Sequence, residues 1–290
     1  MTSYQERKLT DYEKLFAYYC RSGFSCNGTL FFESKENIDK SLLLDALKYM
    51  QRRHPFMRTY LKHDLNNGDM SLQIASEFND DNNPLQLEYS IGSDQRRTRD
   101  DMISEMEEFN DICFVYNDKE KLLWRAKATD FYEGDKRIQA IFLVVATELT
   151  DGLNMITLLI ELTNILNSLK LGKMCLEMQE KLEPGEPINS IIEKQNLFVK
   201  VNDQTPNKEY HHHDEPLHLD AKFASTTRLG SSMRLFKIDA TQTSKLTQMS
   251  KKGGFKMTAL LTAAAIYSLR ELYAENGLEM STKVSACIAA

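Results

Sequence analysis

A chain of 290 residues, 42% hydrophobic and 27% charged, has the composition of a globular protein and can bury one large core or two smaller ones. Its net charge of −6 argues against a broad basic surface for nucleic acid. No apolar run approaches the ~20 residues that cross a bilayer, and the N-terminus MTSYQERKLTDYEKL lacks the apolar core of a signal peptide. Five scattered cysteines (Cys20, Cys26, Cys113, Cys175, Cys287) follow neither a metal spacing nor a dense disulfide framework, so reduced thiols in a cytoplasmic protein are expected.

Thr10, with Glu13 one turn on, is a capping-box signature, and Leu15, Phe16 and Tyr19 follow at helical spacing. Ser25 to Gly28 reads as the break after that helix, and Thr29 to Glu33 as a short strand. Asp39 caps a second helix with Leu43, Ala46, Leu47 and Met50 on its buried face. His54-Pro55 ends it, because the residue before proline is pushed out of the helical region, and Phe56 to Leu61 continues as a strand. Residues 62 to 84, rich in Asn, Asp and Gly, read as an exposed loop with at most one short strand. Leu85 to Ser90 alternates as a strand. Asp100 to Phe109 is an acidic helix whose Glu105, Glu107 and Glu108 read as a solvated face rather than a carboxylate cluster. Lys121 to Thr129 is a further strand.

The chain is organised around Arg137 to Leu169. Ile138 to Ala146 is an apolar, β-branched run without polar alternation, the pattern of a strand buried on both faces. After Thr150, Asp151 and Gly152 the period changes. Met155, Leu158, Leu159, Leu162, Leu166 and Leu169 then recur at steps of three and four, a helical stripe that Asp151 is placed to cap. A central strand, a tight turn carrying a carboxylate and a packed helix are expected. Beyond Leu169 the helix continues or restarts through Leu182, and Glu183-Pro184-Gly185-Glu186-Pro187 closes the unit.

From Pro206 to Pro216 the chain is polar. His211, His212, His213 and His218, with Asp214, invite a metal reading, but consecutive residues do not converge on one ion and no helical HExxH spacing supports them, so a solvated loop and no metal site are expected. Leu235 to Ile238 reads as a strand, Asp239 opens a helix to about Lys251, and Gly253-Gly254 separates it from a second helix over Met257 to Glu275. Gly277 reads as the cap of that helix and Lys283 to Ile288 as a buried strand.

The turn ATELTDG, residues 146 to 152, resembles the HHxxxDG motif of the chloramphenicol acetyltransferase-like superfamily, which includes condensation domains and alcohol acetyltransferases. Arg53-His54-Pro55-Phe56-Met57-Arg58-Thr59 is similar to a second segment of that superfamily, RHPxLRT, and stands in the right order before it. The resemblance implies an α/β fold, a two-layer helix–sheet sandwich of the chloramphenicol acetyltransferase type. Its first lobe would be complete over residues 1–200, followed by a polar connection at 201–220 and a partial second lobe over 221–290. It also implies transfer of an acyl group from a CoA or carrier thioester to a hydroxyl or amine, with no permanently bound cofactor. In that scheme Thr147 occupies the position of the general-base histidine, Asp151 orients the turn and Gly152 lets the donor approach the backbone. Ala146 and Thr147 replace both histidines, and a threonine hydroxyl does not accept a proton near neutral pH. The role it implies for His54 is structural. A strand at the C-terminal end would leave an edge and an apolar surface, expected to be covered by a further stretch or by a protein partner. Three readings follow: a weakly active acyltransferase, a non-catalytic ligand- or partner-binding relative, and a truncated fragment or scaffold. Acceptor-dependent thiol release separates the first from the other two.

Overall fold

In the computed structural model the described residues are 3–20, 25–34, 36–78, 85–93, 96–186 and 238–278, with the single positions 190, 191, 194 and 233. The chain divides into two compact units, Met1–Leu197 with Gly230–Met233, and Phe198–Leu229 with Arg234–Ala290.

The first unit begins with β1 (Tyr4–Lys8), α1 (Asp11–Cys20), β2 (Ser25–Phe32) and α2 (Lys40–Arg53). After a 3-10 turn at Pro55–Arg58 come β3 (Thr59–His63), β4 (Met70–Ala75), β5 (Leu87–Tyr89), α3 (Arg99–Asp111), β6 (Trp124–Glu133), β7 (Lys136–Ala146) and α4 (Gly152–Lys170). A three-stranded sheet runs in the order β1-β4-β3 and a four-stranded one in the order β2-β7-β6-β5. Both are antiparallel except where β5 lies parallel to β6.

β7 organises the unit as its sequence implies. Ile141, Leu143 and Val145 enter one core with Leu43, Leu47 and Met50 of α2 and Met155, Leu158, Leu159 and Leu162 of α4. Ala140, Phe142, Val144 and Ala146 enter a second core with Ala17 and Cys20 of α1, Leu72 and Ile74 of β4, and Met102, Met106 and Phe109 of α3. Successive side chains of one strand therefore feed two cores, the use of a period of two that makes an unbroken apolar run stable in a sheet. Each of the larger ones (Ile141, Phe142, Leu143, Val144, Val145), fully buried, contributes roughly 1.5–3 kcal/mol. β6 and β7 form a hairpin in which Glu133 pairs with Lys136, and Gly134, at φ +62°, takes the left-handed position that this tight turn requires.

Local signals act where the sequence carries them. The Thr10–Glu13 box forms, with Glu13 Oε2 accepting from Thr10 N at 2.8 Å and Thr10 Oγ1 accepting from Glu13 N at 3.3 Å. Asp39 caps α2 by accepting from Ser41 N and Leu42 N. His54 is buried, ends α2 in an extended conformation, and lies with Nε2 2.9 Å from Glu161 Oε1 on α4, so its role is structural. Arg53 Nε sits 2.9 Å from the same oxygen as a close ion pair whose angle does not make a hydrogen bond.

Several expectations are corrected. The buried face of α1 is Glu13, Ala17 and Cys20, while Leu15 is exposed. β1 was not anticipated. β2 begins at Ser25 rather than Thr29, because Ser25 to Gly28 pairs with Ala146 to Leu143. The segment after His54 makes a 3-10 turn before its strand. Within the expected exposed loop, β4 is buried throughout its length. Glu107 does not lie on a solvated face: it is buried and accepts from Met233 N at 2.6 Å. The helix after the motif stops at Lys170, followed by Gly172 at φ +62°, and only the 3-10 turn Leu176–Met178 follows before Leu182. By length and mean hydropathy (19 residues, 1.2) α4 alone among the described helices meets the criterion for crossing a membrane, an exception to the expectation of no such run; its Met155–Leu166 face packs in the core.

In the second unit, Asp239 caps α5 (Ala240–Gly253) in a reciprocal box with Gln242, and Gly254 closes it at φ +69°. α6 (Met257–Glu275) ends at Asn276, with Gly277 at φ +69° next. The polar connection from Pro206 to Pro216, with His211, His212, His213, Asp214 and His218, lies outside the described residues. So do the strand expected over Lys283 to Ile288 and all but Ile238 of the strand expected over Leu235 to Ile238; Ile238 itself is not in a strand.

Candidate functional site

The turn between β7 and α4 sits where three elements end. β7 finishes at Ala146, fully buried and paired with Ser25 at the start of β2, and α1 ends beside it at Cys20. Thr147, Glu148 and Leu149 make the turn, which the Leu149 N to Ala146 O bond of 3.0 Å closes. α4 then starts at Gly152.

Asp151 caps α4, extended at φ −114°, with its side chain accepting from Asn154 N at 2.8 Å. The carboxylate satisfies one of the free amides of the first turn and faces the positive end of the helix dipole. Gly152 is exposed, and a Cβ built there meets nothing within 4 Å, so its open backbone is accessible from outside.

Thr147 donates its backbone N–H to Cys20 Sγ at 3.2 Å, while its hydroxyl oxygen is buried without a hydrogen-bond partner among the described residues. Glu148 is buried and turned toward α1, where Cys20 Sγ donates to its Oε2 at 3.0 Å; Oε1 has no partner among the described residues. Burial holds the Glu148 carboxyl above its ordinary range. Burial, and after it Glu148, pushes the Cys20 thiol up to about 12. On β2, Cys26 is half-buried, and burial followed by the charge of Asp151 raises its thiol as well. Two of the five scattered cysteines thus stand at the turn. Their closeness rests on β2–β7 pairing and on the packing of α1, neither of which a residue spacing records.

Beneath the turn on the α3 side, Arg125 of β6 is buried between the rings of Phe109 and Phe114, at 5.3 and 4.5 Å from their centroids. It donates Nε to Phe109 O and Nη2 to Asn110 O, both at 3.0 Å, tying down the C-terminal carbonyls of α3. Burial lowers this guanidinium to about 10. Asn110 Oδ1 in turn accepts from Ser25 Oγ and Asn27 Nδ2. This polar layer fixes β2 and α3 on one side of the motif strand.

Among the described residues no group of three His, Cys, Asp or Glu side chains is arranged to hold a metal ion. The described histidines stand elsewhere, His54 against α4 and His63 at the end of β3.

No family model matches the chain, and no curated protein matches it. Solved structures do. The first condensation domain of the calcium-dependent antibiotic synthetase, in complex with substrate analogue 3a, is 13% identical with a TM-score of 0.66, over 94% of this chain and 62% of that one. The condensation domain of the Monacolin K polyketide synthase MokA is also 13% identical, with a TM-score of 0.55, over 93% and 60%. The chain spans about three fifths of the length of the condensation domains it matches. The likeness of the backbone bears out the fold that the resemblance carried by residues 53–59 and 146–152 implies: the chain has the fold of these condensation domains.

Proposed function

We propose that the chain is an acyltransferase-like protein that holds an acyl ligand at the 146–152 turn and turns it over weakly or not at all. The carrying observation is the state of the turn. Thr147 stands at the position of the general base with a buried hydroxyl, and the adjacent carboxyl, Glu148, is committed to Cys20. In acyl transfer of this class the acceptor O–H or N–H attacks the thioester carbonyl, a C–O or C–N bond forms, the C–S bond breaks, and the acceptor proton passes through a base to the thiolate. Thr147, its hydroxyl buried, cannot take that proton. Loss of a general base lowers rate by about 10²–10⁴, and what positioning retains is residual turnover.

Asp151 orients the turn and Gly152 leaves the backbone open to the donor, an acyl-CoA or acyl-carrier thioester; an alcohol or amine is the acceptor. Thiol release by the purified chain, given acyl-CoA donors and a panel of alcohols and amines, tests this reading. Slow release that needs acceptor and falls in Asp151→Ala supports residual transfer, while ligand binding without release supports a binding role. Neither binding nor release by a folded, monodisperse sample refutes both. Thr147→His alone is expected to leave turnover far below that of an enzyme with a working base. An imidazole there needs a partner for its second nitrogen, and the neighbouring carboxyl is already bonded to sulfur. Fast transfer by this single variant contradicts the reading.

A further inference from the structure

Acyl transfer makes no use of the groups that hold the motif turn. Cys20 Sγ accepts from Thr147 N at 3.2 Å and donates to Glu148 Oε2 at 3.0 Å, so one sulfur at the end of α1 joins two successive residues of the turn. Glu148 is 7% exposed, and its other oxygen meets no hydrogen-bonding group among the described residues.

We propose that Glu148 and Cys20 form a proton-held clasp on the turn, closed while the carboxyl is protonated and released when it ionises. The inference rests on the reading of 146–152 as the ligand-holding turn, whose regulation it describes.

The argument is one of solvation. A carboxylate in this place would have an S–H, a weak donor, on one oxygen and its own backbone N–H nearby, which together do not outweigh burial. Uncompensated burial of a charge is costly, and the accessible response is for the side chain to leave for water. The groups around it do not offset that charge. From α1 come Cys20 and Glu13, and Glu13 is acidic and already paired with Arg7 of β1 at 2.8 Å. From β6 comes Arg125, which acts on Cys20 and donates to two α3 carbonyls. From β2 comes Cys26, whose charged neighbour is Asp151. Once Glu148 swings out, the thiol loses its acceptor and the Thr147 amide loses the fixed sulfur it donates to. Glu148 is here a positioning residue: it acts on the ligand site through Cys20 and Thr147.

The test follows the amide signals of Thr147 and Cys20 by NMR in the full chain as pH is raised. In the wild type both are expected to titrate together with a midpoint above the ordinary carboxylate range, and hydrogen-exchange protection of the Thr147 amide, corrected for intrinsic rates, should drop at least about tenfold across it. Glu148→Gln keeps the shape without the charge and should show no such step. A step of the same midpoint in Glu148→Gln, a wild-type midpoint in the ordinary glutamate range, or no wild-type step overturns the clasp. If Glu148→Gln does not fold, Cys20→Ala serves: Thr147 should then stop reporting the titration, and continued reporting overturns the proposal. None of these readouts requires a ligand or turnover, so the clasp and the acyl-ligand reading fail separately.

Discussion

Glu148 is a carboxyl placed where water does not reach, and that placement has a signed effect on stability. Its folded-state value is raised, so the proton is held more tightly folded than unfolded. Stability from this group is complete below the unfolded value, about 4.3, and is lost as pH rises toward the raised folded value. Denaturant unfolding of the wild type and Glu148→Gln should therefore nearly coincide in relative stability at acid pH and diverge in favour of the variant above it. A constant difference across pH would mean that the carboxyl is not the source. Asp151 makes the opposite kind of contribution, from an exposed cap. Asp151→Ala should cost about 1 kcal/mol, read as a lower denaturant midpoint at unchanged slope. The cap was legible because Asp and Gly stand where the hydrophobic period changes. The Cys20–Glu148 bond was not, since the partners are 128 residues apart and neither residue type signals the other.

At the scale of elements, the legible ones were those whose pattern is decided locally. β7 reads as buried on both faces because every residue from Ile138 to Ala146 except Gln139 enters one core or the other. For β4 the sequence left room for a short strand, but its burial was hidden by its Asn-, Asp- and Gly-rich flanks and by Ser71 and Gln73, buried yet hydrogen-bonded to each other. The close approach of β2 to α4 was equally silent. A Cβ on Gly28 would stand 2.7 Å from Leu159 Cδ1 and 2.9 Å from Met155 Cγ, so Gly28 is needed for that packing. Gly28→Ala is expected to destabilise by about 1–3 kcal/mol through overpacking, and an unchanged thermal midpoint would show that both side chains yield freely. The α2–α4 contact has its own polar anchor. His54→Ala removes the imidazole from Glu161 and should cost about 1–3 kcal/mol, measured by equilibrium unfolding.

At the scale of the whole molecule, the two hydrophobic cores among the described residues draw their buried residues from the first unit. A chain ending after residue 200 is therefore expected to fold and to unfold cooperatively, checked by circular dichroism with heating. A broad transition without a baseline would show that the second unit is needed. The condensation fold was legible in two short motifs and in element order.

The register of β2 on β7 also sets a schedule for synthesis. Ser25 to Phe32 pairs with Ala146 to Gln139, while β6 and β7 are joined by a tight hairpin. On the ribosome, β2 leaves the exit early and waits for its partner to be translated, a delay on the order of ten seconds at ordinary elongation rates. During that interval Leu30, Phe31 and Phe32 lie in a nascent strand with no neighbour to pair with, so newly made chains are most open to chaperone capture before β7 arrives.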